Sequence, residues 1–260
     1  MRIRAWITDT PESRAAAEQL REELARFASI AMSGLGLRGI GDLNIRAIPA
    51  EAWETTWRAE FPVTTIGRIV IRPPWSEQAS AAGDAVVTID PGQAFGTGLH
   101  PTTRLALAGI QRWSDAGLLH ELPTDGVGIL DVGTGSGILL AAALQLGASH
   151  GCGVDTDPLA VEAAQRNLAQ NGLAARSEVV LGTLPFRAPA PLVVANLVAA
   201  LQIELAPLLA AAVAPGGRIL ASGIFVERAA ETVDAFTRVG LRLLGQWEEG
   251  EWVALEWTHD

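Results

Sequence analysis

The run Asp131-Val132-Gly133-Thr134-Gly135-Ser136-Gly137 constrains this chain of 260 residues more than any other feature. It follows an apolar stretch at residues 127–132 and precedes an almost wholly apolar one at 138–146. That context reads as a sharp turn from a buried strand into a buried helix. Glycines there let the main chain turn tightly and leave helix-start N–H groups open to a ligand that a Cβ would block. Beyond the turn the grammar alternates. Strands are predicted at 151–155, 178–181, 192–195 and 218–222, and helices at 158–171, 201–213 and 227–239. Such alternation predicts an α/β fold, a doubly wound, Rossmann-like parallel sheet. The end departs from it: residues 241–247 and 252–257 flank Glu249-Gly250-Glu251 and read as an antiparallel hairpin closing a seven-stranded sheet.

The first third is organised differently. Residues 2–7 alternate in polarity like a half-buried strand, and Thr10-Pro11 is a helix start. Leu20, Leu24, Phe27 and Ala31 form one helical stripe, and residues 43–47 alternate again. Residues 1–50 are thus expected to form a small α+β domain. Residues 51–62, with Trp53 and Trp57 one turn apart, are expected to be a linker helix, and 63–260 the main domain, opened by strands at 68–72 and 86–89.

Composition removes whole chemistries. All 19 basic residues are Arg, and Tyr is also absent, so Schiff-base, Walker-lysine and phenolic mechanisms are excluded. One cysteine, Cys152, cannot form an internal disulfide, and four scattered histidines give no metal-ligand spacing. A net charge of −10 disfavours direct nucleic-acid binding and favours basic partners. No secretory leader and no apolar run of the ~20 residues needed for a membrane span are read, so a cytoplasmic monomer is expected.

The glycines run G-x-G-x-G, one residue short of the dinucleotide fingerprint G-x-G-x-x-G, which weakens a pyrophosphate reading and with it a nicotinamide oxidoreductase. Asp155 ends the next strand, where a carboxylate can accept both hydroxyls of a ribose, while Asp157 before Pro158 reads as a helix cap. A second element, Asp90-Pro91-Gly92-Gln93-Ala94-Phe95-Gly96-Thr97-Gly98-Leu99-His100-Pro101-Thr102-Thr103, is a glycine-punctuated loop expected to end in hydroxyls at a helix beginning near Arg104. As a third element, Asn196-Leu197-Val198-Ala199 follows the fourth core strand, at the edge where open sheets bind ligands. Leu-Val-Ala offers no ring to stack a planar substrate.

Asp131–Gly137 and Asp155 resemble the first two motifs of the S-adenosyl-L-methionine-dependent methyltransferases. The long element from Asp90 to Thr103 and the Asn196-Leu197-Val198-Ala199 turn are similar to those of the ribosomal protein L11 methyltransferases. The resemblance implies S-adenosyl-L-methionine as cofactor, with Gly133 and Gly135 against its methionine part, Asp155 on its ribose, Thr183 near its adenine, and Thr103 and Asn196 as further contacts. It implies an amine acceptor, a lysine side chain or N-terminal amine of ribosomal protein L11, free before ribosome assembly. In this reading Asn196 accepts a hydrogen bond from the amine; His100 either relays a proton or anchors its loop, and Phe95 either covers the cofactor or packs on the sheet. Methylation of another protein lysine or a small-molecule amine, or a non-catalytic binding module on the same fold, remain open at this stage.

Overall fold

The computed structural model describes residues 62–90, 98–120, 122 and 126–259, with residues 16, 18–20 and 23 of an N-terminal helix. The chain divides into two units, residues 1–60 and 61–260. The strands expected at 2–7 and 43–47, the remainder of the helical stripe, the Trp53/Trp57 helix and Phe95 lie outside the described residues.

The second unit opens with β1 (Thr64–Ile66), β2 (Ile69–Arg72) and β3 (Ala85–Thr88), a small sheet in which β1 and β2 are antiparallel and β2 and β3 parallel. The three-residue β1 is too short to announce itself by alternation. Helix α1 (Pro101–Asp115) leads into the core, where β4 (Ile129–Val132), α2 (Ile138–Gln145), β5 (Gly151–Asp155), α3 (Pro158–Gln170), β6 (Ser177–Leu181), β7 (Ala190–Asn196), α4 (Ala199–Ala212), β8 (Val213–Phe225), α5 (Ala229–Arg238), β9 (Leu241–Glu249) and β10 (Trp252–His259) follow. The seven-stranded sheet has the order β6-β5-β4-β7-β8-β10-β9. Strands β4 to β8 run parallel, and β10 pairs antiparallel with both β8 and β9. The doubly wound expectation and its closing hairpin are both present.

Both faces of the sheet are covered, so its central strands are apolar in either direction. On β7, Leu192 and Val194 point into one core with α1, α2 and Leu168 of α3, while Val193 and Ala195 point into the other with Ala206 and Leu209 of α4 and Phe236 of α5. The residue-by-residue switch follows from the period of two along a strand. In the second core, Phe236 and Trp257, both fully buried, stack with ring centroids 4.3 Å apart. Glu256, on the opposite face of β10, is nearly buried yet satisfied, accepting from Trp113 Nε1 at 2.8 Å and Arg218 Nη1 at 2.9 Å.

Two element boundaries differ from the sequence reading. Strand β8 begins at Val213, through Gly216 at φ +74°, where helix had been expected as far as 213. Helix α1 starts at Pro101, three residues earlier than expected: Pro101 lacks the N–H that a first helical position leaves unpaired, and His100 caps the helix. Among the described residues no helix is long and apolar enough to cross a membrane.

Phe236→Ala should lower the unfolding free energy by about 3–5 kcal/mol, the range for deleting a buried ring. Denaturant melts of the two proteins measure this, and a loss below 1 kcal/mol would deny the stack its structural role.

Candidate active site

Three glycines, all at positive φ (Gly133 +74°, Gly135 +55°, Gly137 +79°), form the turn out of β4. Such angles are costly for any residue with a Cβ. Space adds a second constraint, since a Cβ on Gly133 would lie 2.5 Å from Leu197 Cδ2 and one on Gly137 3.1 Å from Ala164 Cβ. The turn is stitched to β5 by Gly133 N and Thr134 N, which both donate to Val154 O, at 2.8 and 3.0 Å.

Two carboxylates grip the turn from either side. Asp131 Oδ2 accepts from Thr134 Oγ1 at 2.8 Å, and Asp155 Oδ2 accepts from Gly135 N at 2.9 Å. Asp155 Oδ1 takes Asp157 N at 3.0 Å. Each Asp155 oxygen therefore holds one main-chain amide and keeps acceptor capacity for a further donor. Asp157 caps α3 through Leu159 N at 2.9 Å. Asp131 is fully enclosed, and burial pushes its carboxyl up to about 7 despite relief from the Thr134 hydroxyl and the Leu140 amide; the nearby Asp155 charge acts in the same direction as burial. The Cys152 thiol, buried on β5 and near Glu178, is pushed up to about 12 and is not a nucleophile at neutral pH.

Thr103, Gly133, Thr134, Gly135, Ile138 and Asn196 are among the residues lining one cleft over the turn. Four residues singled out from the sequence thus converge, although they come from α1, the β4–α2 turn and the end of β7. Asp155 joins them through Gly135. Thr183 is exposed just beyond β6, where Gly182 N donates to Asp155 O at 2.8 Å. Asn167 of α3 ties the two sequence signatures together: its Nδ2 donates to Ser136 O at 2.8 Å and its Oδ1 accepts from Asp90 N at 3.1 Å.

His100 lies outside the cleft lining. Its Nδ1 sits 2.8 Å from Thr102 Oγ1 and accepts from Thr102 N, while its ring meets Trp252 edge-on at 4.9 Å. Partial burial, helped by the positive Arg104, holds its pKa below the usual value. Arg104 itself pairs with Glu249. Thr103 differs from its neighbour: its hydroxyl is completely buried and has no hydrogen-bond partner among the described residues.

The sequence matches the family model for ribosomal protein L11 methyltransferase (PrmA) over residues 2–260. The chain belongs to this family. It is an S-adenosyl-L-methionine-dependent methyltransferase. A ribosomal protein L11 methyltransferase of Symbiobacterium thermophilum is 42% identical over 224 residues, which cover 85% of this chain and 70% of the relative. Another from Geobacter metallireducens is 41% identical over 258 residues, 97% of this chain and 80% of the relative. The crystal structure of a ribosomal protein L11 methylase from Lactobacillus delbrueckii subsp. bulgaricus shares 29% identity with a TM-score of 0.67, covering 76% of this chain and 98% of that one.

The cleft of this methyltransferase fits such a cofactor on its own chemistry. An unpaired buried hydroxyl costs about 1–3 kcal/mol, and Thr103 places one where a polar ligand over the glycine turn would satisfy it. Asp131, Gln202 and Ser222 were not picked out from the sequence as site residues. A lone amide among Ala199, Ala206 and Leu209 on one face of α4 is the signal that could have found Gln202.

The Asp131 carboxyl sets a pH dependence. Its folded pKa lies above the unfolded value of about 3.9, so its contribution to stability is fully present below about pH 4 and is lost as pH rises through about 7. Wild-type stability should therefore decline over that window relative to Asp131→Asn, which stays neutral throughout. Denaturant melts of both proteins at several pH values test it; parallel pH profiles would mean that Asp131 is ionised in the fold.

Proposed function

We propose that this enzyme methylates amino groups of ribosomal protein L11, lysine side chains first and the N-terminal amine as a second class of acceptor. The observation that carries the proposal is the convergence of Thr103, from the long Asp90–Thr103 element, with Gly133, Gly135 and Asn196 around one cleft. Relatives at 41–42% identity bear the name ribosomal protein L11 methyltransferase, which supports L11 as the acceptor.

S-adenosyl-L-methionine, when bound, supplies a methyl group on a sulfonium, already an excellent leaving group. The chain's own residues then have to orient, desolvate and handle one proton. Gly133 and Gly135 present main chain to the methionine part, and Asp155, with lone pairs to spare, takes the ribose hydroxyls. Thr103 gives its unpaired hydroxyl to the cofactor, and Thr183 stands beside the adenine. Asn196 accepts a hydrogen bond from the amine through its amide oxygen, which fixes the direction of the nitrogen lone pair. A lysine ammonium has a reference pKa of ~10.4, and a drier site favours the neutral, reactive form. Alignment accounts for most of the acceleration, so no strong base is needed. His100, outside the cleft lining and engaged with Thr102, serves as the anchor of its loop rather than as a proton relay.

The acceptor side carries charge of the right sign. Past Asn196 on the same edge of the sheet, a groove is lined by Phe225, Val226, Glu227, Glu248 and Glu251, and the whole chain carries a net charge of −10. A basic protein met free, before it is masked by ribosomal RNA, complements that surface. Residues 1–50 serve as its recognition domain, 51–62 as the linker and 63–260 as the catalytic domain. The enzyme works as a cytoplasmic monomer with no direct hold on nucleic acid.

The decisive experiment incubates the enzyme with L11 and S-adenosyl-L-methionine carrying a labelled methyl group, and maps the product by mass spectrometry. Label on L11 amines is the expected result; label confined to small-molecule pools, or to another protein, would overturn the acceptor assignment. Asp155→Ala should weaken calorimetric affinity for S-adenosyl-L-methionine by about 30-fold or more, the loss of charge-assisted hydrogen bonds of about 2–3 kcal/mol. Unchanged affinity would remove Asp155 from the ribose. Asn196→Ala should reduce turnover more than cofactor affinity, and an unaltered rate would exclude it from the mechanism.

A further inference from the structure

We propose that Gln202 and Ser222 form a buried positioning clamp that aims Asn196, setting the rate of transfer rather than the affinity for S-adenosyl-L-methionine. The inference rests on Asn196 serving the acceptor amine.

Gln202 lies on α4, is completely buried, and shares its face with Ala199, Ala206 and Leu209. A primary amide in such surroundings is unfavourable unless its polar atoms are bonded. Gln202 Nε2 donates twice, to Leu197 O at 2.7 Å and to Ser222 O at 2.6 Å. Both carbonyls belong to strand exits beside the site. Leu197 follows Asn196 at the end of β7, and Ser222 is the register partner of Asn196 on β8. Leu197 N donates to Ser222 O as well, at 3.0 Å. Ser222, also fully buried, donates through its hydroxyl to Thr102 O at 2.8 Å, in the first turn of α1. One chain of hydrogen bonds therefore joins α4, the exits of β7 and β8, and the turn of α1 that carries Thr103.

The two ends of the amide act on stability in opposite directions. Gln202 Oε1 is buried with no partner among the described residues. An apolar side chain of similar volume would remove that orphan but leave Leu197 O without its donor, so the two effects on global stability oppose each other. The turn needs an internal holder, because Val198, the N-cap of α4, contributes no capping side chain. Packing then transmits any shift: a Cβ on Gly223, φ +87°, would lie 2.5 Å from Leu197 O and 3.0 Å from Asn196 Oδ1, so the β8 main chain sits directly against the Asn196 amide. The glycine turn and Asp155 lie on the other side of β7 in the sheet and make none of these bonds.

Gln202→Met and Ser222→Ala in the full-length enzyme, assayed on L11, test the clamp. Each should lower kcat per folded molecule roughly 10- to 100-fold, the effect of a misaimed reacting group, with a much smaller loss of calorimetric affinity for S-adenosyl-L-methionine. Ser222→Thr, which keeps the hydroxyl, should restore most of the rate. In an Asn196→Ala background, Gln202→Met should cost little further turnover, because the group it aims is gone. Wild-type kcat in both single variants, or the same further loss without Asn196, overturns the clamp. A fall in Tm with kcat per folded molecule unchanged assigns Gln202 to packing and overturns it too. If Asn196→Ala alone leaves the rate unaltered, the acceptor role of Asn196 fails; if that variant is slow while Gln202→Met is not, only the clamp fails.

Discussion

The carboxylate of Asp155 holds the amide of Gly135 across the sheet and that of Asp157 along its own chain. This bridge makes the site possible. It pins a turn of positive-φ glycines that would otherwise have many conformations, and it does so from the end of β5, where a rigid strand fixes the carboxylate. The opposite side of the turn is held by Asp131 through Thr134, and there burial keeps the carboxyl largely protonated below neutral pH. The two acids have different environments: the enclosed one braces the turn from within the fold, and the half-exposed one holds two main-chain amides and keeps acceptor capacity.

Around that pinned turn, segments far apart in sequence are tied together by wholly or partly buried polar contacts. Asn167 links the amide of Asp90 to the carbonyl of Ser136, and Asn171 completes the edge of β3 by exchanging hydrogen bonds with Thr88, at 2.8 and 2.7 Å. Ser222 and Gln202 do the corresponding work on the β7–β8 side. Small apolar residues allow these contacts: α2 is nearly all Ala and Leu, and the inner faces of β7 and α4 are Val, Ala and Leu, so main chains approach closely. The polar groups at the strand ends are correspondingly well fixed.

Much of this was legible in the residues. Alternating strand and helix patterns from residue 127 onward predicted the parallel sheet, because fully buried strands and amphipathic or apolar helices differ in length and punctuation. The hairpin around Gly250 was readable for the same reason, and Asp157-Pro158 announced its own cap. What failed was local. His100 does not look like a cap, so α1 was placed three residues late, and Thr102 and Thr103 were expected at the helix start rather than inside its first turn. The start of β8 was hidden because Pro215-Gly216-Gly217 reads as a break; Val213 pairs with Ala190 of β7 before it, and regular pairing resumes only at Arg218, after a shift of register.

By itself, then, the sequence determined the fold class, the glycine turn with its acidic partner, and the family, since each depends on residue types at short, fixed spacing. The tertiary structure alone decided how Thr103 and Asn196 come to share a cleft with the glycines, why the Thr103 hydroxyl is left unpaired there, and why Asp131 resists ionisation. It also decided which of many polar residues, Gln202 and Ser222, became buried links. These outcomes depend on burial and on contacts between different secondary-structure elements, and no local pattern carries that information.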